Sequence, residues 1–209
     1  MPLLKIKDLN ATTQVIVWKI TEPIEELFQS VNLTPISLAR VESMKSEGHQ
    51  KGFLSVRRLL MEASYTDYDL YYDAYGKPHL KDGKYISISH SHDLSLILVS
   101  DEKIGADLEI LKAKTQILAP RFMNVSHLDN LSAQNQLIKA TVVWGIKESV
   151  FKIKNEVGIS FKDNIFESDF NLEDKKCTAT LRFNNKVEHF TILFDFIEDY
   201  VFVCAFEKK

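Results

Sequence analysis

The sequence predicts an α+β fold in two similar halves, each with a long helix packed on an antiparallel sheet. Three observations predict it. Apolar residues recur at helical spacing over two long segments, about 36–64 and 131–154. Strand-length runs of β-branched and aromatic residues surround both segments, and the last three runs are joined by short turns. The composition is that of an ordinary globular chain: 209 residues, 45% hydrophobic and 26% charged, with a formal charge of −3. Whole-chain disorder is excluded, because apolar content is high and net charge low. A chain of this length buries a core without metal or disulfide staples.

Gln14–Ile20 is β-branched and apolar and reads as a strand. Thr34-Pro35 reads as an N-cap followed by proline in the first helical turn. From Ile36 onward Leu38, Val41, Met44, Phe53, Val56, Leu59, Leu60 and Ala63 keep helical spacing, which fits one long helix or two with a break near Gly48. Tyr65–Tyr75 reads as loop, and Gly76-Lys77-Pro78 as a turn. Tyr85–His90 and Leu94–Ser100 read as strands. Asp101-Glu102-Lys103 reads as a turn returning into a strand at Ile104–Ile110. No clear pattern covers 111–130. The helix at 131–154 is followed by an antiparallel meander: Cys177–Phe183, Val187–Phe196 and Tyr200–Phe206, turned at Asn184-Asn185 and Glu198-Asp199. The halves divide as 1–103 and 104–209.

An overall acidic chain argues against a protein that wraps nucleic acid. Cys177 and Cys204 lack metal-ligand spacing and read as two buried thiols. The N-terminus has no signal-peptide pattern, and no apolar run reaches membrane-spanning length. These features point to a soluble, cytoplasmic protein with no membrane partner.

Four clusters carry possible chemistry. Gly105-Ala106-Asp107-Leu108-Glu109 lies in a strand, where alternate residues share a face, so Asp107 and Glu109 point together. The pair is either an exposed strand face or a site for a hard cation that offsets the repulsion. In Trp144-Gly145-Ile146-Lys147-Glu148-Ser149-Val150-Phe151-Lys152, Glu148 and Lys152 share one side of a helix. They form either a surface ion pair or a metal or proton site beside a phosphate contact. Ser87-Ile88-Ser89-His90-Ser91-His92-Asp93 lacks the further histidines a zinc site needs, so His90 is either a turn histidine or a phosphate contact. Gly76-Lys77-Pro78 holds Lys77 beside a stiff turn. The first long helix adds Arg40, Lys45, Lys51, Arg57 and Arg58, which make either a solvated face or an anion-binding one. No Walker A, GxGxxG, GxSxG or HExxH motif occurs.

Taken in order, GKP, SHS, GADLE and WGIKESVFK resemble the motif set of the 4′-phosphopantetheinyl transferase superfamily, in its larger surfactin-synthetase-activator type. The resemblance runs from about Arg57 to Lys152, a little under half of the chain. It implies two similar α/β halves in one chain, related by a pseudo-twofold, with coenzyme A and Mg²⁺ bound between them. It implies transfer of the phosphopantetheine arm to a serine of an apo carrier protein, with release of 3′,5′-ADP, by a monomer. Carried onto this chain, Asp107, Glu109 and Glu148 hold Mg²⁺ and Lys152 holds a pyrophosphate oxygen. Glu148 or a metal-bound water takes the serine proton. Lys77, Ser89 and His90 contact the nucleotide end, and Arg57 and Lys51 fall where the family has cationic contacts to coenzyme A. The chain departs from the pattern at Ser87, where asparagine is usual, and at Gly145, where a small hydroxyl residue is frequent. Glu42, Glu47 and His49 occupy a helix that is often more basic. A noncatalytic member that binds coenzyme A or a carrier protein, and a metal-dependent phosphohydrolase, are the competing readings. Fatty-acid, polyketide, peptide-synthetase and lysine-pathway carriers all present a serine in acidic surroundings, so the resemblance does not choose among them.

Overall fold

The computed structural model describes residues 3–208 and has the expected mixed α+β character, with antiparallel sheets. Those residues form two compact units, one ending at Glu102 and the next beginning at Lys103.

The first unit runs β1 (Leu3–Asn10), β2 (Thr13–Lys19), α1 (Ile24–Gln29), α2 (Pro35–Ser43), α3 (Glu47–Glu62), β3 (Leu70–Tyr72), β4 (Pro78–Leu80), β5 (Tyr85–Ser91) and β6 (Leu94–Ser100). Its main sheet has the order β1-β2-β6-β5. β6 is central and every residue in it is buried, which explains its unbroken apolar run. Val56, Leu59 and Leu60 of α3 pack with Ile16, Trp18, Ile97 and Val99 to form one core cluster. The helical stretch resolves into two helices. Thr34 Oγ1 accepts a hydrogen bond from the Ser37 N–H and caps α2. Met44 is extended at ψ 129°, so the break precedes Gly48, which lies inside α3.

Three features depart from the sequence reading. β1 and α1 carry no pattern that announced them. The Tyr- and Asp-rich stretch expected to be loop contains β3, paired with β4 across a turn in which Gly76 has φ +80°. Strands of three residues are too short for alternation to show. The turn at 101–103 does not close a hairpin: β6 pairs with β2 and β5, leaving neither edge open to the next strand.

The second unit runs β7 (Ile104–Ile110), α4 (Ala113–Leu118), two 3-10 turns (Ala119–Arg121 and Val125–Leu128), α5 (Ala133–Lys154), α6 (Phe161–Asn164) and β8 (Ile165–Glu167). A third 3-10 turn (Leu172–Asp174) precedes β9 (Lys176–Phe183), β10 (Lys186–Ile197) and β11 (Tyr200–Glu207). The sheet order is β7-β11-β10-β9-β8. The three C-terminal strands form the expected meander. Asn184 and Asn185 both have positive φ, 51° and 59°, as a tight two-residue hairpin turn requires. The Ser132 side chain caps α5 at its N-terminus, and left-handed Asn155 ends it. Val143, Ile146 and Val150 of α5 are fully buried in one core with Phe190, Ile192 and Val203 of the sheet. Cys177 and Cys204 are reduced, on strands separated by β10. Among the described residues, no helix is long and apolar enough to cross a membrane.

Candidate active site

Two glycines set how closely β7 and α5 approach. A Cβ on Gly105 would clash with the Ser149 carbonyl oxygen on α5. A Cβ on Gly145 would lie 2.6 Å from Val203 Cγ2 on β11. Gly145 thus stands at a point of tight helix-to-sheet contact. Gly105 faces α5, so Asp107 and Glu109 do too, by strand alternation. The acidic pair therefore lies against the helix and is not an open strand face. Gly105→Ala is expected to cost about 3 kcal/mol, because a backbone carbonyl cannot swing aside as a side chain can. Urea unfolding measures it, and a loss below about 0.5 kcal/mol would contradict the close approach.

Asp107 is 4% exposed. Its Oδ1 accepts from Lys152 Nζ at 2.8 Å, and Lys152 also donates to the Ala106 carbonyl at 2.8 Å. Its Oδ2 is buried and accepts no hydrogen bond among the described residues, while the residue as a whole is ion-paired through Oδ1. Trp144 Nε1 donates to Glu109 Oε1 at 3.1 Å, and the indole is flanked by Phe122 and Phe161. Lys152 thus binds across to β7, so an ordinary surface pair within the helix does not describe it.

Burial raises the Glu109 carboxyl, as does the Asp107 charge, against the Trp144 hydrogen bond and the Lys152 and Lys112 charges. Glu148 is pushed up to about 7, by burial first and then by the charge of Asp107, with Glu109 adding to it and Lys152 opposing. Three carboxylates thus share one neighbourhood with one close ammonium. Among the described residues, no three His, Cys, Asp or Glu side chains stand ready-gathered as a metal site. The donor chemistry nevertheless suits a hard divalent cation: all-oxygen, and destabilised by its own negative charge.

The raised Glu148 carboxyl has a consequence for stability. The folded state holds this proton more tightly than the unfolded chain, whose value is near 4.5. Its contribution is fully present below that value and is lost as pH rises through about 7. The metal-free protein is expected to lose on the order of 3 kcal/mol across this window. Melting curves in EDTA test this, and Glu148→Gln should flatten the slope. An identical slope in that variant would refute the assignment.

The first unit holds the expected cationic residues, but not in one cluster. His90, Arg40 and Arg57 line a cavity of about 400 Å³ together with His49, Gly52, Phe53 and Tyr72. Gly52 lets the His90 ring approach α3, since a Cβ there would lie 2.6 Å from His90 Cδ2. Arg57 is 3% exposed, and its Nε donates to Asp67 Oδ1 at 2.9 Å. Its guanidinium stacks 3.4 Å from the Phe53 ring centroid. Arg40 lies over both Phe53 and Tyr72. Lys51 pairs with Glu47 one helical turn away at 2.9 Å. Lys77 closes a turn on Asp73, whose side chain accepts from the Lys77 N–H. Ser89 is buried and points to the opposite face of β5 from His90.

Sequence reasoning missed Trp144 as the holder of Glu109, although its place four residues before Glu148 puts it on the same helix face. Asp67, the partner of Arg57, gave no signal. Lys147, adjacent to the motif glutamate, is buried in an ion pair with Glu167. No family model matches the chain, and no curated protein matches it significantly.

Proposed function

We propose that this chain is a 4′-phosphopantetheinyl transferase, a cytoplasmic monomer whose two units are similar halves of one fold. It transfers the phosphopantetheine arm of coenzyme A to a serine of an apo acyl or peptidyl carrier protein. The observation that carries the reading is the packing of α5 on β7. That packing gathers Asp107, Glu109, Glu148 and Lys152, from two motifs distant in sequence, into one electrostatically coupled cluster. The order of the four motifs along the chain supports the same reading.

In the proposed reaction the serine oxygen attacks the phosphorus that bears the pantetheine arm. A new P–O bond forms to serine, and the bond to the bridging oxygen breaks, releasing 3′,5′-ADP. Glu148, whose carboxyl is drawn up to about 7 in the metal-free site, would take the serine proton. Asp107, Glu109 and Glu148 would hold Mg²⁺, which would supply neutralisation of the diphosphate charge. Lys152, 28% exposed, turns its ammonium to a phosphate oxygen. His90 and Arg40 take the nucleotide end, aided by Lys77, Ser89 and Lys51. Arg57 acts from behind them, since its charge is already matched by Asp67.

Intact-protein mass spectrometry of apo carrier proteins incubated with the chain, coenzyme A and Mg²⁺ tests the proposal. The carrier should gain one phosphopantetheine arm, and the gain should disappear in EDTA. No gain on any carrier, with coenzyme A still bound, would make this a noncatalytic binder. Cleavage of coenzyme A without an acceptor would make it a phosphohydrolase.

A further inference from the structure

The second unit has a cavity of about 430 Å³ that the proposed transfer does not use, bounded by the first two 3-10 turns, α5, α6 and β8. Its floor is charged and matched. Lys147 and Glu167, 2% and 4% exposed, form an ion pair, and Lys147 also donates to the Ile165 carbonyl. His127 Nδ1 lies 3.3 Å from the other Glu167 oxygen, which leaves Nε2 as the second polar atom of that ring. The walls are Pro120, Met123, Val125 and Phe166. Val125 is 46% exposed and Phe166 42%, so apolar surface of this cavity stays open to solvent. Lys162 stands at the rim and donates to the Pro120 carbonyl at 2.6 Å. An ammonium has three N–H donors, and this carbonyl takes one.

Charge bookkeeping decides the ligand class. The lining holds two lysines and one carboxylate, and Glu167 is matched by Lys147. Among the described residues the Lys162 ammonium makes no ion pair, and it stands above an apolar wall. A cavity of this size suits a small organic molecule. We propose that it is a second binding site, taking a small amphipathic carboxylate. The carboxylate sits on Lys162 and His127, and the apolar body lies against Phe166, Val125 and Met123.

The site has a built-in reporter. Pro120 and Met123 belong to the same turn as Phe122, and Lys162 follows Phe161. Those two rings lie 5.1 Å and 5.4 Å from the Trp144 ring, whose N–H holds Glu109. A ligand that reorders either wall is therefore felt by Trp144.

The test titrates 3-phenylpropionate into the full chain carrying Trp18→Phe, so that Trp144 is the sole tryptophan and is excited selectively, with calorimetry on the unsubstituted chain in parallel. The alcohol and amine of the same carbon skeleton serve as controls. The expected result is a saturable Trp144 change with the carboxylate, absent with the amine. Lys162→Glu should weaken binding at least about tenfold, the value of one charge-assisted hydrogen bond. Val125→Trp should fill the cavity and abolish binding. Both positions are exposed, and unchanged melting temperatures confirm that the variants fold. Failure of the carboxylate to saturate at about 10 mM would overturn the proposal. So would equal binding of the alcohol or amine, or undiminished binding to folded Lys162→Glu.

Discussion

Glu148→Gln is expected to reduce the proposed phosphopantetheine transfer by about 10²- to 10⁴-fold while leaving the fold intact. Glutamine keeps the shape of the side chain but neither accepts the serine proton nor offers a charged oxygen to a cation. The fold should survive because the native carboxylate is a liability in the absence of metal: burial and the charges of Asp107 and Glu109 all raise its carboxyl. A neutral amide removes that repulsion, so the variant should melt higher than the parent in EDTA at pH 8. Single-turnover transfer and melting curves on the same preparation measure both effects. Transfer within about threefold of the parent would remove Glu148 from the chemistry. Lower stability in EDTA would contradict the electrostatic picture of the site.

Arg57→Ala is expected to cost about 3–5 kcal/mol of stability, more than a surface contact to coenzyme A could. The guanidinium joins three segments: it donates to Asp67 Oδ1, to Ser37 Oγ and to the Phe53 carbonyl. Asp67 in turn accepts from the Thr34 N–H and hydroxyl and from Ser37. Burial alone would raise the Asp67 carboxyl, but those hydrogen bonds and the Arg57 charge outweigh it and hold it below its ordinary value. Its stabilisation is therefore present above the unfolded value of 3.8 and lost as pH falls through the lower folded one. Removing Arg57 leaves a buried carboxylate unmatched. The double variant Arg57→Ala/Asp67→Ala should lose less than the sum of the two single losses. Urea unfolding of the four proteins checks this. Additive losses, or a stable Arg57→Ala protein with only a raised KM for coenzyme A, would return Arg57 to the ligand.

The same residue shows where sequence reading stops. Helical spacing placed Arg57 on α3 beside Phe53 and Val56, and its charge suggested an anion site. Its partner lies outside the helix, in a stretch of Tyr and Asp that carries no periodicity. Lys147 repeats the case: it stands one residue from Glu148 with no sign in the sequence of a partner, yet it is buried in an ion pair with Glu167 on β8. The strand at 104–110 was legible, but its neighbour was not. It pairs with β11, from the far end of the chain, rather than with β6 just before it.

The sequence by itself determined the α+β class, the two long helices, the C-terminal meander and the alternation that points Asp107 and Glu109 the same way. Periodicity records whether each position faces core or water, and that is local information. Only the tertiary structure decided which element covers each face. α5 lies on the acidic face of β7, Lys152 reaches Asp107 across 45 residues of chain, and Glu148 is drawn up to about 7. Charge, burial and hydrogen bonding act through space, so the state of a carboxylate depends on neighbours that sequence proximity does not name.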